Sequence, residues 1–555
     1  TLDRSSAASD VYKRQQLKII SEESLDALVI GGGINGAVSF AALAGQGLKV
    51  GLIDRKDFAS ETSMHSSNLV WGGIKYMESY EFGLVRKLCM SRNQLMSAYP
   101  TNIRELRFFT NLDRGFRFPA IMLYMGAFLY WLIGNCFTRP PRLLTTSKIR
   151  DEEPVVKTDK SIGGIEYSDA YLPENDARFV FQFIRSAMDR DGIALNYVES
   201  LGGERDQDSG LWRVKVRDQI SGNQHEIKAK VLVNACGPFV DFQNKALAQD
   251  TKHQHVFSKG IHLIVKRVTP HERVLTFFAD DGRLFFAIPM GKRTVIGTTD
   301  TQVPQPETHV TPEDRSFVLN NINKRVELKE PLTESDIIAE RCGVRPLVVE
   351  RQQDKTITDW VKMSRKHEID VDTNQKTISI FGGKLTDCLN IGEEVVEFVR
   401  ECGVKIHEYT SIWYGEPGKN AHDRFLQKAA KISLDDFTPP DASEPSSSRL
   451  WRRYGSKAFD LLDQIESNPE LKEELIPGSE CLKVEAVHAR DHEMVVHLED
   501  FLRRRTKISM MISQKNLEEN PATKEACQIL FGDHSDDRWT SFIESSQVQK
   551  DVALN

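Results

Sequence analysis

Short apolar runs alternate with helical stretches along this chain, and the first such unit is the most regular. Leu25 to Ile30, apolar except for Asp26, runs into Gly31-Gly32-Gly33-Ile34-Asn35-Gly36. An alanine-rich stretch from Ala37 to Ala44 follows, and a second apolar run, Val50 to Ile53, ends on Asp54. The pattern predicts strand, glycine turn, helix, strand, with a carboxylate at the second strand's end. Gly31 permits a tight turn, Gly33 lets the backbone approach a pyrophosphate, and Gly36 lets helix and strand pack closely. The helix N-terminus offers N–H groups and partial positive charge to phosphates, and Asp54 is placed for ribose hydroxyls.

Further strands are predicted at Val231–Val233, Leu284–Ile288, Thr294–Ile296 and Thr377–Phe381, the last running into Gly382-Gly383. Helical periodicity spans Ala177–Arg190, with Phe181, Ile184 and Met188 on one face and Gly192 as the stop. It returns over Leu385–Cys402 through Leu389, Val395, Val396 and Val399, ending at Gly403. Thr438 to Ser448, rich in Pro and Ser, has linker composition, and the chain beyond it is helical and charged. This divides the chain into a mixed α/β body to about residue 415 and a helical appendage, with no internal repeat. Phe118 to Thr138 carries no charge and lies between Arg117 and Arg139. Its apolar core, Ala120 to Ile133, is too short for a span, so a buried or interfacial helix is expected.

At 555 residues the chain calls for two or three domains. A net charge of -7 argues against nucleic acid as the main partner. Eight scattered cysteines, none at metal spacing, read as free thiols of a reducing compartment. Residues 1 to about 20 are polar and lack the apolar core of a secretory signal, and they are expected to be a leader outside the fold.

Hydroxyls and glycines cluster after Asp54, in Thr62-Ser63-Met64-His65-Ser66-Ser67 and Trp71-Gly72-Gly73-Ile74-Lys75-Tyr76. Tyr80-Glu81-Phe82, Tyr167-Ser168-Asp169, Asn175-Asp176-Ala177-Arg178 and Asn234-Ala235-Cys236-Gly237-Pro238 follow in order. Then come Ser258-Lys259-Gly260-Ile261-His262, Ile296-Gly297-Thr298-Thr299-Asp300, Gly343-Val344-Arg345-Pro346 and Phe381-Gly382-Gly383-Lys384-Leu385-Thr386. With the tail Leu498–Thr506, this series resembles the FAD-dependent glycerol-3-phosphate dehydrogenase and oxidase family over roughly residues 25 to 515.

The resemblance implies an α/β (α+β overall) chain with a glutathione-reductase-like FAD-binding domain, an interleaved antiparallel-sheet substrate domain and a C-terminal helical domain. The FAD domain is expected at about 21–110, 165–250 and 340–415, the substrate domain at 111–164 and 251–339, a linker at 416–448 and the helical domain at 449–545. It also implies oxidation of sn-glycerol 3-phosphate to dihydroxyacetone phosphate. That chemistry needs a cationic clamp for the phosphate, a base for the hydroxyl proton and a flavin facing the reacting carbon.

Arg345, Arg365 and Lys75 are the clamp candidates, with Lys384 a further cation near substrate and flavin. Guanidinium suits bidentate phosphate binding. Lys75 departs from the arginine typical of the family, and Trp71 stands where it often has histidine. His262, with an ordinary titration range near neutrality, is the candidate base; His65 has no family counterpart and is given no role. FAD is expected to meet Gly31, Gly33, Gly36, Asp54, Thr62, Ser63, Ser66, Ser67, Gly72, Gly73, Gly237, Gly382, Gly383, Lys384 and Thr386. A quinone acceptor at the inner face of a membrane is preferred to oxygen, because Ala120–Ile133 offers an apolar docking surface, and a homodimer is allowed. Two alternatives stay open: a flavoenzyme of the same fold acting on another small anionic hydroxy substrate, and a flavin-binding scaffold without turnover.

Overall fold

The computed structural model describes residues 5–351, 366–406, 412–440 and 442–554. The first apolar runs form the middle of a parallel sheet. Its strands lie in the order Thr377–Phe381, Gln224–Asn234, Ser24–Ile30, Val50–Ile53 and Ile193–Leu195. Every position of Val50–Ile53 is buried, as expected of a strand covered on both faces. Ile30 is in register with both Ile53 and Asn234, so these strands end together at one edge of the sheet. The glycine turn sits at that edge, where open α/β sheets bind ligands. The buried helix Ile34–Gly45 packs on helices Asp176–Met188 and Cys388–Glu401.

A second sheet of ten strands, mostly antiparallel, stands against this edge. Its spine is His253–Lys266, paired along most of its length with Ala339–Glu350. On its other side lie Thr301–Val303 and Arg293–Gly297, and the sheet continues through Leu284–Met290 and Arg273–Phe278. Arg104–Asp113, Ser161–Tyr171, Leu69–Val70 and Arg142–Leu144, the last paired with Ser161–Tyr171, complete it. The expected boundaries move accordingly: strands at 104–113, 161–171 and 339–350 belong largely or wholly to this second sheet, although most were assigned to the FAD domain. Strand partners are distant in sequence, and periodicity alone does not reveal them.

Two other expectations are corrected. The segment set aside as a leader forms helix Ser5–Glu22, whose Leu17 and Ile20 are buried and whose Lys13 pairs with Asp218 at 2.6 Å. The expected linker contains helix Lys419–Lys431, and Ser446 begins another, Ser446–Tyr454. Its polar residues are fastened rather than loose: Ser443 N donates to Glu480 Oε1 at 3.0 Å and Ser447 N to Asp435 Oδ1 at 2.8 Å.

Ion pairs tie the C-terminal helices to the body. Asp57, just beyond the second strand, pairs with Arg504 at 2.7 Å and Arg505 at 2.8 Å. Glu174 pairs with Arg452 at 2.8 Å and Arg453 at 3.0 Å. The helix Ala120–Ile133 buries Ala127 and Tyr130 but leaves Ile121, Met122, Met125, Phe128, Leu129 and Leu132 exposed. It is therefore a surface helix and not a buried one. Among the described residues no helix is long and apolar enough to cross a membrane.

Candidate functional site

A cleft runs along the meeting line of the two sheets, in two halves that share Ile34, Thr62, Ser63, Pro346 and Gly383. The first half, about 340 Å³, lies over the glycine turn. Gly31 has φ +103°, and a Cβ there would come within 2.6 Å of the Ala235 carbonyl oxygen. A Cβ on Gly36 would overlap the Gly31 carbonyl, so the helix can approach the strand only with glycine at this place. Gly36 shapes the turn from behind, and Gly33 lines the cleft and caps the helix. Ile34 N donates to Ser63 Oγ at 3.0 Å, which fixes the hydroxyl loop against the helix start.

Asp54 and Gly237 line the same half. The Asp54 carboxylate accepts from Gly32 N at 2.7 Å and Lys56 N at 2.9 Å, yet burial pushes its pKa up to about 7. Further hydroxyl donors would favour its charged form.

The second half, about 330 Å³, gathers residues from stretches far apart in the chain. Thr62, Ser63, His65, Ser66, Ser67, Trp71, Gly73 and Tyr76 come from one; Gly383, Lys384 and Thr386 from another. His262 and Arg345 come from the paired strands of the second sheet, and Thr298 from the turn after Arg293–Gly297. Gly383 has φ +102°, and a Cβ there would lie 2.7 Å from Asn35 Oδ1, itself buried without a partner. Gly382 is fixed by two bonds: its carbonyl accepts from Asn35 Nδ2 at 2.9 Å, and its N–H donates to His255 Nε2 at 3.0 Å.

Arg345 is aimed by three contacts. Its guanidinium donates to Thr298 Oγ1 at 2.9 Å and to the Thr299 carbonyl at 3.2 Å, and pairs with Asp300 at 3.3 Å. Gly260 makes room for it, because a Cβ there would run into the guanidinium. His262 is buried, with neither ring nitrogen hydrogen-bonded. Burial, together with Arg341 and Arg345, pushes its pKa down to about 3, so the imidazole is neutral and both nitrogens remain available. Lys384 Nζ donates to the Tyr76 hydroxyl at 2.8 Å and lies over that ring.

Not every expected residue reaches the cleft. Lys75 is exposed on the short helix Ile74–Met77 and does not line it; its neighbour Tyr76 does. A 3₁₀ turn sends adjacent residues in different directions, so sequence adjacency misplaced the cation. Gly72 is buried behind the wall, its N–H donating to Asp169 Oδ1 at 3.0 Å, and a Cβ there would meet the Tyr130 hydroxyl. Arg365 lies outside the described residues. Conversely, His65, Asn35 and His255 take part in the site although the motifs gave them no role. The only sequence signal for His65 was its place inside the hydroxyl cluster.

The cradle fits FAD: a glycine-walled nucleotide half with a carboxylate at its ribose end, continuous with a half wide enough for a flat ring. Such a fold and site define a flavin-dependent oxidoreductase. Residues 26–359 match the FAD dependent oxidoreductase family, and residues 415–533 match the C-terminal domain of alpha-glycerophosphate oxidase. The aerobic glycerol-3-phosphate dehydrogenase of Bacillus subtilis is 30% identical over 518 residues, spanning 90% of this chain and 90% of that protein. Its Escherichia coli counterpart is 30% identical over 505 residues, covering 88% of this chain and 95% of that one. The structure of the Bacillus halodurans glycerol-3-phosphate dehydrogenase complexed with FAD shares the fold. Its TM-score is 0.72 at 24% identity, over 99% of this chain and 98% of that one. The chain belongs to the FAD-dependent glycerol-3-phosphate dehydrogenase family.

Proposed function

We propose that this enzyme oxidises sn-glycerol 3-phosphate to dihydroxyacetone phosphate and passes the electrons to a quinone. The observation that carries the substrate assignment is the convergence of Arg345, Lys384 and His262 on the reactive half of the cleft. Arg345, held in one orientation by Asp300 and Thr298, offers its planar face of donors to a phosphate, and Lys384 adds a second positive charge. Bound flavin supplies the electron-pair acceptor for the hydrogen on the reacting carbon. Gly31, Gly33, Asp54 and Gly237 would hold its nucleotide part, and Ser63, Gly383 and Thr386 its ring end. His262 accepts the hydroxyl proton. Burial chiefly holds it neutral at rest, with Arg341 and Arg345 adding to this, and a phosphate dianion would offset the part due to the two cations and so raise its basicity when substrate binds.

The quinone assignment rests on the exposed face of Ala120–Ile133. Six large apolar side chains there face solvent, and Arg114, Arg117 and Arg139 flank them in the chain. An apolar face with basic flanks suits peripheral docking on a bilayer, where quinones reside. Trp71 in the cleft wall favours, as a second reading, another small anionic hydroxy substrate. Anaerobic mixing with glycerol 3-phosphate tests the substrate: rapid bleaching of the flavin is expected. Bleaching only by other hydroxy acids transfers the assignment to them. Flotation with liposomes and assay of peroxide test the acceptor; an enzyme that ignores liposomes and releases peroxide stoichiometrically is an oxidase.

A further inference from the structure

The proton that His262 accepts must leave a buried wall. His262 is 3% exposed, and cofactor and substrate would fill the cleft in front of it. Beside the hydroxyl turn Thr62–Met64 lies a third, polar cavity of about 490 Å³, which adjoins the nucleotide half at Glu61 and Glu307 and is walled further by Tyr197, Glu499 and Arg504. Thr62, His65 and Gly343 line both this cavity and the reactive half of the cleft, and of these only His65 has a ring with one nitrogen to accept a proton and another to release one. Its ring sits within electrostatic reach of His262, and its Nδ1 is buried without a partner. Gly343 makes room for it, since a Cβ at 343 would come 2.8 Å from that of His65.

We propose that His65 is a proton relay connecting His262 to the polar cavity, an inference that rests on the alcohol oxidation proposed above. The substrate O–H bond breaks and its proton passes to His262, then to His65, then to water in the cavity. Bound flavin would take the hydrogen of the reacting carbon with its electron pair, and both histidines end neutral, so no other reactant is required. His65 touches none of the reacting atoms and acts through His262. Arg503 and Arg504 face it from the turn Asp500–Arg505, and Arg341 from the strand Ala339–Glu350. Cys342 of that strand lines the cavity, with its thiol pushed up to about 11 by burial, and the Asp176 carboxylate is engaged by Ser66 N at 2.9 Å. Burial first, and then these cations, hold His65 well below the ordinary imidazole range, so its protonated form is short-lived, as a relay requires.

Holoenzyme carrying His65→Gln or His65→Ala, compared with wild type in anaerobic stopped-flow bleaching by glycerol 3-phosphate, tests the relay. Flavin content and spectrum check that each variant is folded. His65→Gln is expected to slow bleaching at saturating substrate by about tenfold or more. Its half-saturation concentration should stay unchanged and its solvent deuterium isotope effect should rise. His65→Ala should recover on adding imidazole and not on adding pyrrole, which has the same shape without a basic nitrogen. Wild-type rates and isotope effects in both variants, or equal recovery with pyrrole, overturn the relay. If wild-type flavin is not bleached by glycerol 3-phosphate, the substrate assignment fails separately, and the same comparison is made with the anionic alcohol that does bleach it. Should no alcohol bleach it, both proposals fall.

Discussion

The arginines of this chain fall into two settings that differ in one respect. Along the seam between the body and the C-terminal helices, Arg452, Arg453, Arg504 and Arg505 each meet buried carboxylates of Glu174, Glu485 or Asp57. Burial alone would raise the pKa of Asp57, but Arg505 and Arg504 hold it down to about 2. Against the backbone of the hydroxyl cluster Met64–Ser66, Arg341 and Arg503 are also buried, yet neither has a carboxylate ion pair among the described residues. Arg341 donates instead to the Ser66 carbonyl and Asn68 Oδ1, each at 2.5 Å, and Arg503 Nη1 has no partner. Burial, with Arg341 nearby, pushes Arg503 down to about 9. A paired guanidinium is mortar, whereas an under-compensated one beside a cleft is a standing positive field that favours an anion. Arg345 lies between these cases: Asp300 orients it, and 24% of its side chain remains open to the cleft.

This contrast is broken most severely at Asp57. Asp57→Ala leaves the buried Arg505 guanidinium without its carboxylate and Arg504 with Asp500 and Glu499 only, and should cost on the order of 3–5 kcal/mol of stability. Thermal or urea unfolding measures it; a melting temperature within a degree of wild type would mean the seam is solvated and its pairing irrelevant. Next comes His262→Gln, expected to slow anaerobic flavin reduction about a hundredfold or more while FAD content stays normal. Unchanged reduction would remove His262 from the chemistry.

A smaller effect follows from Asp54. Its apo-state pKa of about 7 is expected to fall when ribose hydroxyls donate to it, so the flavin-bound form prefers the carboxylate. FAD affinity of the apoprotein should therefore weaken as pH drops below about 7, by roughly tenfold per unit, and level off above it. Fluorescence titration between pH 5.5 and 8 would show this, and Asp54→Asn should flatten the profile. The smallest change is expected at Lys75: exposed and off the cleft wall, its replacement by arginine should leave kcat/KM within about twofold of wild type. A large gain would place residue 75 at the substrate after all.

How much of this was legible in the chain depends on what each part is made of. The nucleotide half is built from backbone: a strand, a glycine turn and a helix contiguous between Leu25 and Asp54, with each glycine fixed by a local steric need. That part could be read directly. The reactive half is assembled from segments far apart in the chain, so its membership depended on the ordered series of motifs. Motifs name neighbourhoods and not directions, which is why Lys75 was expected where Tyr76 lies and Gly72 was expected to face a cofactor it sits behind. His65 was passed over because its role comes from a cavity formed with Glu307 and Glu499, more than two hundred residues away. The Pro- and Ser-rich stretch near 440 misled for a related reason: Glu480 and Asp435, which fasten it, are invisible to local composition.

The central claim is that Arg345 recognises the phosphate of an alcohol held against the flavin. It is tested most directly by the anaerobic rate of flavin bleaching with glycerol 3-phosphate relative to glycerol, in wild type and in Arg345→Ala. Wild type is predicted to favour the phosphorylated substrate strongly. The variant, with flavin spectrum and content intact, should lose two to three orders of magnitude of that preference, equivalent to about 3–4 kcal/mol. An Arg345→Ala enzyme that keeps the wild-type preference, or one that merely loses FAD or folds poorly, would contradict the account and leave Arg345 a structural partner of Asp300.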